Sequence, residues 1–245
     1  MNTPLEVIGL TKIYNNKEVV KNISFKINKN EIMGILGPNG CGKTTTIAMI
    51  LGLLKPSKGK VLIDGISIEH KREELLNNLN FISPYIELPK KLTVRQNLEI
   101  YARLYDVKNL KTKIDYLTEK LRLSEIIDRV TGELSSGQKN RVSLAKSLIN
   151  KPRLLFLDEP TASLDPDIGD FVREYLEKYK NDNELTMLLA SHNMKEVERL
   201  CDSVVMMKKG KIVDKGTCGE IVNKHGRKNL EDTFLKIARS NNELE

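Results

Sequence analysis

The chain has 245 residues, 40% of them hydrophobic and 30% charged, and its formal net charge at pH 7 is +7. This length suits one α/β domain, residues 1–245, with a sizeable core, and no apolar run approaches the ~20 residues of a membrane span. Lysines and acidic residues are interspersed along the chain, so the charge indicates a solvated surface and no nucleic-acid partner is expected. The three cysteines lack paired spacing and the N-terminus lacks a signal-peptide pattern, which argues against disulfides, a zinc site and secretion. We therefore expect a cytoplasmic protein.

Short β-rich runs separated by polar turns begin the chain. They cover Leu5–Leu10, Val19–Ile27 and Glu31–Leu36, and the turns between them are rich in asparagine. This pattern predicts a small, partly antiparallel sheet. Tyr14 lies in the first connection, where a single tyrosine is most often a packing residue. Lys60–Gly65 predicts a further strand closed by an Asp-Gly turn.

A glycine-rich stretch follows the third run and precedes an apolar-periodic run, Ile47–Leu54. Its residues are Gly37, Pro38, Asn39, Gly40, Cys41, Gly42, Lys43, Thr44 and Thr45. The stretch matches the phosphate-binding pattern G-x-x-x-x-G-K-[ST], in which glycines turn successive N–H groups toward an anion at a helix N-terminus. Lys43 would reach the β- and γ-phosphates, and the Thr44 hydroxyl would ligate Mg²⁺. A nucleotide site is therefore predicted, but many unrelated activities use such a loop.

Helical periodicity replaces the β pattern over residues 71–150. Thr93 and Gln96 form a T-x-x-Q capping box at the start of one helix. We expect a helical lobe over about residues 85–150, inserted between the phosphate loop and the next core strand. A helical tail is expected over about residues 217–245.

The next polar stretch is Leu134-Ser135-Ser136-Gly137-Gln138, which precedes a helical pattern. Serine hydroxyls and free N–H groups at a helix start are suited to hold an anion. Considered alone, however, this stretch indicates no more than an ordinary N-cap.

Four consecutive apolar residues, 154–157, predict a buried central strand that ends in Asp158 and Glu159. Open α/β sheets bind their ligands at this end of the strands. Because adjacent side chains point to different faces, Asp158 would approach Mg²⁺ while Glu159 would polarise a water that attacks the γ-phosphate. A strand end merely solvated by acids is the alternative, and it suits one carboxylate better than two.

Asp165 and His192 lie farther along the chain. Asp165 belongs to a turn before an amphipathic helix, and His192 follows a second predicted buried strand, Leu185–Ala190. A lone histidine is more often a structural polar residue than a catalytic one. Its position after a core strand favours contact with the γ-phosphate.

Taken together, GPNGCGKTT, LSSGQ, LLFLDEP, ASLD and SH stand in the order and spacing of an ATP-binding-cassette nucleotide-binding domain. The chain resembles this family over about residues 3–240, and the five-residue signature is absent from other phosphate-loop families. The resemblance implies an α/β fold: a phosphate-loop NTPase core with a mostly parallel central sheet, an N-terminal antiparallel β-subdomain and an inserted α-helical lobe.

The resemblance also implies a role for each matching residue around ATP and Mg²⁺. Tyr14 is similar to the aromatic residue that stacks on adenine, and residues 39–45 to the phosphate cradle. Asp158 matches the magnesium-site aspartate, with Thr44 as the second protein ligand of Mg²⁺. Glu159 matches the catalytic glutamate.

Three further motifs are implied to act at the γ-phosphate or in the dimer. His192 matches the switch histidine at the γ-phosphate. Asp165 matches the aspartate of the loop that crosses the dimer interface. In this family the signature contacts ATP bound by the opposite subunit; its counterparts here are Ser135, Ser136, Gly137 and Gln138.

Two positions depart from the family pattern. Ser136 replaces the first glycine of the usual LSGGQ, and Pro84 stands where the family has a glutamine at the junction of core and lobe. Gln96 cannot substitute for that glutamine because it is already explained as a capping residue. Contact with magnesium would then run through Ser83, Tyr85, backbone or water.

The leading hypothesis is the ATPase subunit of a transporter, peripheral at the cytoplasmic face of the membrane. Its partners would be a second nucleotide-binding subunit, as a homodimer, and a separate multi-span permease that docks on the lobe around residues 84–101. The LTVRQNLEIYARLY and NLEDTFLKIARS stretches resemble subunits of ABC-2-type exporters. The alternative is a soluble cassette ATPase outside transport, such as one that serves iron–sulfur cluster assembly.

Overall fold

An antiparallel hairpin begins the fold. Strand β1 (Leu5–Tyr14) pairs with β2 (Lys17–Ile27), and the two turn residues Asn15 and Asn16 have φ angles of 45° and 63°. Asparagine tolerates the positive φ that such a two-residue hairpin turn requires. A sheet with the strand order β2-β1-β4-β5 continues from this hairpin. The computed structural model describes residues 3–83, 87–162 and 164–239.

The described chain forms two compact units, one made of residues up to Leu75 and from Thr186 onward, the other of Leu76–Leu185. Besides the hairpin, the first unit contains β3 (Ile32–Leu36), α1 (Lys43–Ile50), β4 (Lys58–Ile63), β5 (Ile66–Ser67), β8 (Thr186–Ala190), α7 (Met194–Leu200), β9 (Ser203–Lys208), β10 (Lys211–Gly216), α8 (Cys218–Lys224) and α9 (Leu230–Arg239). The second contains β6 (Leu79–Ile82), α3 (Val94–Leu104), α4 (Leu110–Lys120), a 3₁₀ turn (Thr131–Glu133), α5 (Ser136–Ser147), β7 (Leu154–Asp158) and α6 (Pro166–Asn183). The short helix α2 (Arg72–Leu76) contains the boundary between them.

Three parallel strands form the centre of the first unit. β3 lies between β8 and β9, and all five of its residues are buried. Ile35 is in register with Ala190 on β8 and with Val205 on β9. The carboxyl ends of β3 and β8 therefore meet at one edge, where parallel sheets place their ligands.

In the second unit β6 pairs in parallel with β7, with Ile82 opposite Leu157. All five residues of β7 are buried, which confirms the predicted central strand. β6 is a strand that the change toward helical periodicity over residues 71–150 did not indicate. Its four residues, LNFI, are too short for a recognisable periodicity, and only the pairing with β7 establishes the strand.

The C-terminal helices are anchored on the first unit by an apolar cluster and by one buried carboxylate. The buried members of the cluster are Leu36, Met194, Val197, Val204, Met206, Ile221, Leu230 and Ile237. Asp214 accepts hydrogen bonds at 2.7 Å from Lys224 Nζ and shares another at 2.7 Å with His225 Nε2. Although burial opposes the shift, the hydrogen bonds with Lys224 and His225 keep the pKa of the Asp214 carboxyl below its usual range.

The fold-class prediction is confirmed, with an antiparallel N-terminal sheet, mostly parallel strands and packed helices. Within the three described ranges no helix is both long and apolar enough to cross a membrane.

Candidate active site

The phosphate loop connects β3 to α1, and each of its glycines has a local reason. A Cβ at Gly37 would lie 2.3 Å from the Met207 carbonyl oxygen and 2.4 Å from Cys41 Sγ, so no side chain fits there. Gly40 and Gly42 have φ angles of 77° and 106°, in the region that glycine adopts without strain. The loop therefore needs glycine at all three positions.

Lys43 begins α1 with its ammonium group folded over the loop. Its Nζ donates to the Gly37 carbonyl at 2.6 Å and to the Pro38 carbonyl at 3.4 Å. The Thr46 N–H is used within the helix, donating to the Gly42 carbonyl at 2.9 Å, while the N–H groups of the preceding turn have no intrahelical acceptor. The first turn, KTTT, also contains no acidic residue. The combination of a cation, free N–H groups and a helix N-terminus is suited to bind phosphate.

The other loop residues differ in exposure. Asn39 and Thr44 are exposed, and Pro38 and Thr45 are half-buried. Cys41 is buried, and burial raises the pKa of its thiol. Cys41 thus packs beneath the loop, whereas the Thr44 hydroxyl remains accessible to a ligand.

His192 lies at the same sheet edge as the phosphate loop. Ile35 on β3 is in register with Ala190 on the adjacent strand β8. Gly37 comes two residues after Ile35, and His192 comes two residues after Ala190. His192 is exposed, and hydrogen bonds hold the residues on either side of it. Ser191 Oγ donates to Glu196 Oε2 at 2.6 Å and accepts from the Asn193 N–H at 3.1 Å. The first unit therefore brings the loop and this histidine together, as the strand-end argument predicts.

Tyr14 ends β1 with 44% of its surface exposed. The Lys12 ammonium lies 5.0 Å from the centroid of its ring. Tyr14 therefore packs in part against Lys12, and its exposed surface leaves the ring available for stacking.

Asp158 and Glu159 occupy the carboxyl end of β7, in the second unit. Asp158 is buried, and its Oδ2 accepts a hydrogen bond at 3.3 Å from Ser83 Oγ, which follows the adjacent strand β6. Glu159 is half-buried and has a φ angle of 52°, an uncommon conformation for a residue with a side chain. The two carboxylates thus differ in environment although they are neighbours.

Each of the two residues predicted to bind Mg²⁺ has a suitable oxygen atom. Magnesium prefers oxygen ligands and is usually held by one or two carboxylates together with phosphate and water oxygens. Within the second unit Asp158 offers a carboxylate, and within the first unit Thr44 offers an exposed hydroxyl. In the part of the chain that the structure describes, no cluster of three or more histidine, cysteine, aspartate or glutamate residues offers a separate metal site.

The signature stretch forms the N-terminus of α5 in the second unit. Ser135 is the N-cap: its Oγ accepts the Gln138 N–H at 3.3 Å, and Gln138 Oε1 accepts the Ser135 N–H at 3.0 Å. This reciprocal capping box explains both residues structurally. It also leaves the Ser135 hydroxyl proton and the N–H groups of Ser136 and Gly137 as donors toward solvent.

A cavity of about 240 Å³ in the second unit brings several predicted residues together. Ser83, Ser136 and Glu159 contribute to its lining.

Asp165 is an exposed residue that precedes the first turn of α6, and it makes no side-chain capping hydrogen bond. Pro84, which replaces the family's glutamine, lies outside the described residues.

Two side chains of the site, Ser83 and Asn140, have contacts that the sequence does not predict. Ser83 is only one of several groups that could replace the family's glutamine, and no motif includes Asn140. Ser83 contacts Asp158, and Asn140 Nδ2 donates to the Pro160 carbonyl at 2.6 Å. Neither contact has a sequence signal, because each joins residues that are 75 or 20 positions apart.

Comparisons with known proteins agree with this geometry. A family model described as ABC transporter matches residues 20–162, more than half of the chain. The chain is 38% identical over 215 residues to the uncharacterized ABC transporter ATP-binding protein YhcH of Bacillus subtilis strain 168, covering 87% of this chain and 70% of that protein. It is 33% identical over 222 residues to the Nod factor export ATP-binding protein I of Rhizobium etli, covering 90% and 70%.

A solved structure of the ATP-binding subunit of an ABC transporter superimposes with a TM-score of 0.90 at 27% identity. The superposition covers 97% of this chain and all of the other. The chain thus combines this fold and these relatives with three local features. They are a phosphate loop with its lysine folded over it, a buried strand that ends in two carboxylates, and a capped signature helix. The chain belongs to the ABC transporter family and is an ATP-binding subunit of that family.

Proposed function

We propose that the chain hydrolyses ATP and uses the cycle of binding and hydrolysis to drive export by a separate membrane subunit. The observation that carries the proposal is the phosphate loop with the Lys43 ammonium over its carbonyls. Asp158 supplies a carboxylate for Mg²⁺, which withdraws charge from the phosphates when it is bound. Glu159 polarises the attacking water, and His192 contacts the γ-phosphate. Tyr14 stacks on the adenine.

Hydrolysis requires two copies of the chain in this proposal. Ser135 and Ser136 are exposed and Gly137 is half-buried, and the first turn of α5 contains no acidic residue that would repel an anion. The signature donors bind the γ-phosphate of ATP held by the other copy, and Asp165 lies in the loop at the interface. ATP binding therefore closes the dimer, and hydrolysis with phosphate release opens it.

The membrane subunit docks on the helical lobe. Ile100 and Leu104 are 42% and 70% exposed, and because they are one turn apart on α3 they form a pair of neighbouring apolar side chains at the surface. Relatives named for Nod factor export support the choice of an exporter. A soluble cassette ATPase outside transport is the competing outcome.

The experiment that tests the coupling is purification of the tagged chain from native membranes, followed by mass spectrometry. We expect a multi-span protein to co-purify, and the double variant Ile100→Asp/Leu104→Asp to lose it while it retains ATP binding. Leu53→Asp, at an exposed apolar residue of the other unit, is the matched control and should retain the partner. Recovery of soluble proteins alone would contradict the transporter assignment.

Ser83 is proposed to orient Asp158 in a chain that has proline at position 84. Ser83→Ala should weaken Mg²⁺ binding about tenfold, because a ligand's hydrogen-bond partner is removed. Ser83→Thr keeps the hydroxyl and should behave like the unchanged chain. Mn²⁺ binding in the presence of ATP, measured by electron paramagnetic resonance, reports the change independently of turnover. Equal metal affinity in all three proteins would remove Ser83 from the metal site.

A further inference from the structure

Asn140 makes a short side-chain hydrogen bond to the backbone of the turn that contains Glu159. It lies in the second turn of α5, and its Nδ2 donates to the Pro160 carbonyl at 2.6 Å. Pro160 is the residue after Glu159 and is buried. A buried carbonyl needs a hydrogen-bond partner, and the Asn140 amide supplies one.

The turn itself is conformationally demanding. Glu159 has a φ angle of 52° and precedes a proline, a position at which extended backbone is normally preferred. The turn closes through the Ala162 N–H, which donates to the Glu159 carbonyl at 3.2 Å. That bond uses the carbonyl of Glu159 and not the carbonyl of Pro160. Residues in such conformations persist only where their surroundings hold them.

We infer that Asn140 is a positioning residue for Glu159: by holding the Pro160 carbonyl, it fixes the direction in which the Glu159 carboxylate points. The inference rests on the proposed function, in which Glu159 polarises the attacking water. Asn140 and Glu159 line the same cavity of about 240 Å³. A general base must lie within hydrogen-bond reach of the water that it polarises, so a small rotation of this turn reduces the rate.

The contact also joins the catalytic turn to the signature helix. Ser135 caps α5, and Asn140 follows it by five residues on the same helix. A displacement of the α5 N-terminus therefore reaches the Glu159 turn through one hydrogen bond. A γ-phosphate that engages Ser135 thus affects the glutamate of the same chain.

Three substitutions of Asn140 test the inference. Asn140→Ala removes the amide, and Asn140→Asp keeps its size but cannot donate to a carbonyl. Both should lower kcat for ATP hydrolysis by about ten- to a hundredfold, whereas the Kd for ATP should change by less than about twofold. Asn140→Gln retains a donor and should recover most of the lost rate.

Ser147→Ala is the matched control, because Ser147 lies on the same helix but outside this cavity, and its side chain also donates to a backbone carbonyl, that of Leu144. Its kcat should stay within about twofold of the unchanged chain. A thermal unfolding curve for every variant distinguishes a protein that fails to fold from a folded protein in which the Glu159 carboxylate is misplaced. If the asparagine variants unfold like the control yet hydrolyse slowly, the effect lies at the turn.

The double variant Asn140→Ala/Glu159→Gln separates this inference from the proposed function. Residues that act as a unit are not additive, so the double variant should hydrolyse ATP as slowly as Glu159→Gln alone. If Glu159→Gln itself hydrolyses ATP normally, the proposed role of Glu159 is wrong. If Glu159→Gln is inactive and Asn140→Ala or Asn140→Asp retains full kcat, the role of Asn140 alone is overturned.

Discussion

Glu159→Gln is expected to stop ATP hydrolysis and to hold two copies of the chain together when ATP and magnesium are present. Glutamine has the shape of glutamate but cannot polarise a water as a carboxylate does. Removing a general base costs about 10²- to 10⁴-fold in rate. ATP would still bind through the phosphate loop, and the closed dimer would accumulate because the step that opens it is blocked.

Light scattering coupled to size-exclusion chromatography measures this dimer directly. Samples with ATP and magnesium should contain twice the monomer mass, and samples with ADP should contain monomers. Glu174→Gln is a suitable control, since Glu174 is an exposed residue of α6 outside the cavity that Glu159 lines. A Glu159→Gln protein that binds ATP and remains monomeric would contradict the proposed two-chain mechanism.

Lys43→Ala is expected to weaken ATP binding by at least about 100-fold. Hydrogen bonds to a charged group contribute about 1.5–3 kcal/mol each, and Lys43 would make such bonds to two phosphates. About 1.4 kcal/mol corresponds to a tenfold change in Kd, so the loss of both bonds accounts for the expected effect. Isothermal titration calorimetry with ATP gives the Kd without requiring turnover.

Two controls show whether the weaker ATP binding comes from the loss of the Lys43 contacts to phosphate. Lys43 also donates to the Gly37 carbonyl, so thermal unfolding should establish that the variant remains folded. Lys60→Ala removes an exposed lysine of β4 in the same unit and should leave the Kd unchanged. Undiminished ATP binding by a folded Lys43→Ala protein would overturn the nucleotide site.

Local patterns predicted several elements correctly because their causes lie within a few residues. The capping box of Thr93 and Gln96 forms as predicted, with both hydrogen bonds present. The run 154–157 is a buried strand, since continuous apolar residues suit a strand covered on both faces. The Asp64-Gly65 pair forms a turn with φ angles of 50° and 81°.

Contacts between distant residues had no such local signal. Lys146 would be expected on a surface, yet it is 8% exposed and its Nζ lies 5.1 Å from the rings of both Phe81 and Tyr101. Burial lowers the pKa of its ammonium group to about 8. The lysine sits on α5 and its aromatic neighbours on β6 and α3, so its environment exists only once these elements pack.

Residue patterns along the chain are sufficient to predict the phosphate loop, the strand that ends in two carboxylates, the signature stretch and the fold class. These follow from the order of residue types along the chain, because a glycine-rich turn or an apolar run acts locally. The hydrogen bonds from Ser83 to Asp158 and from Asn140 to the Pro160 carbonyl, in contrast, are visible only in the folded chain. Such contacts depend on how strands pair and where a helix packs, and a hydrogen bond across 20 or 75 residues leaves no periodic pattern in the chain.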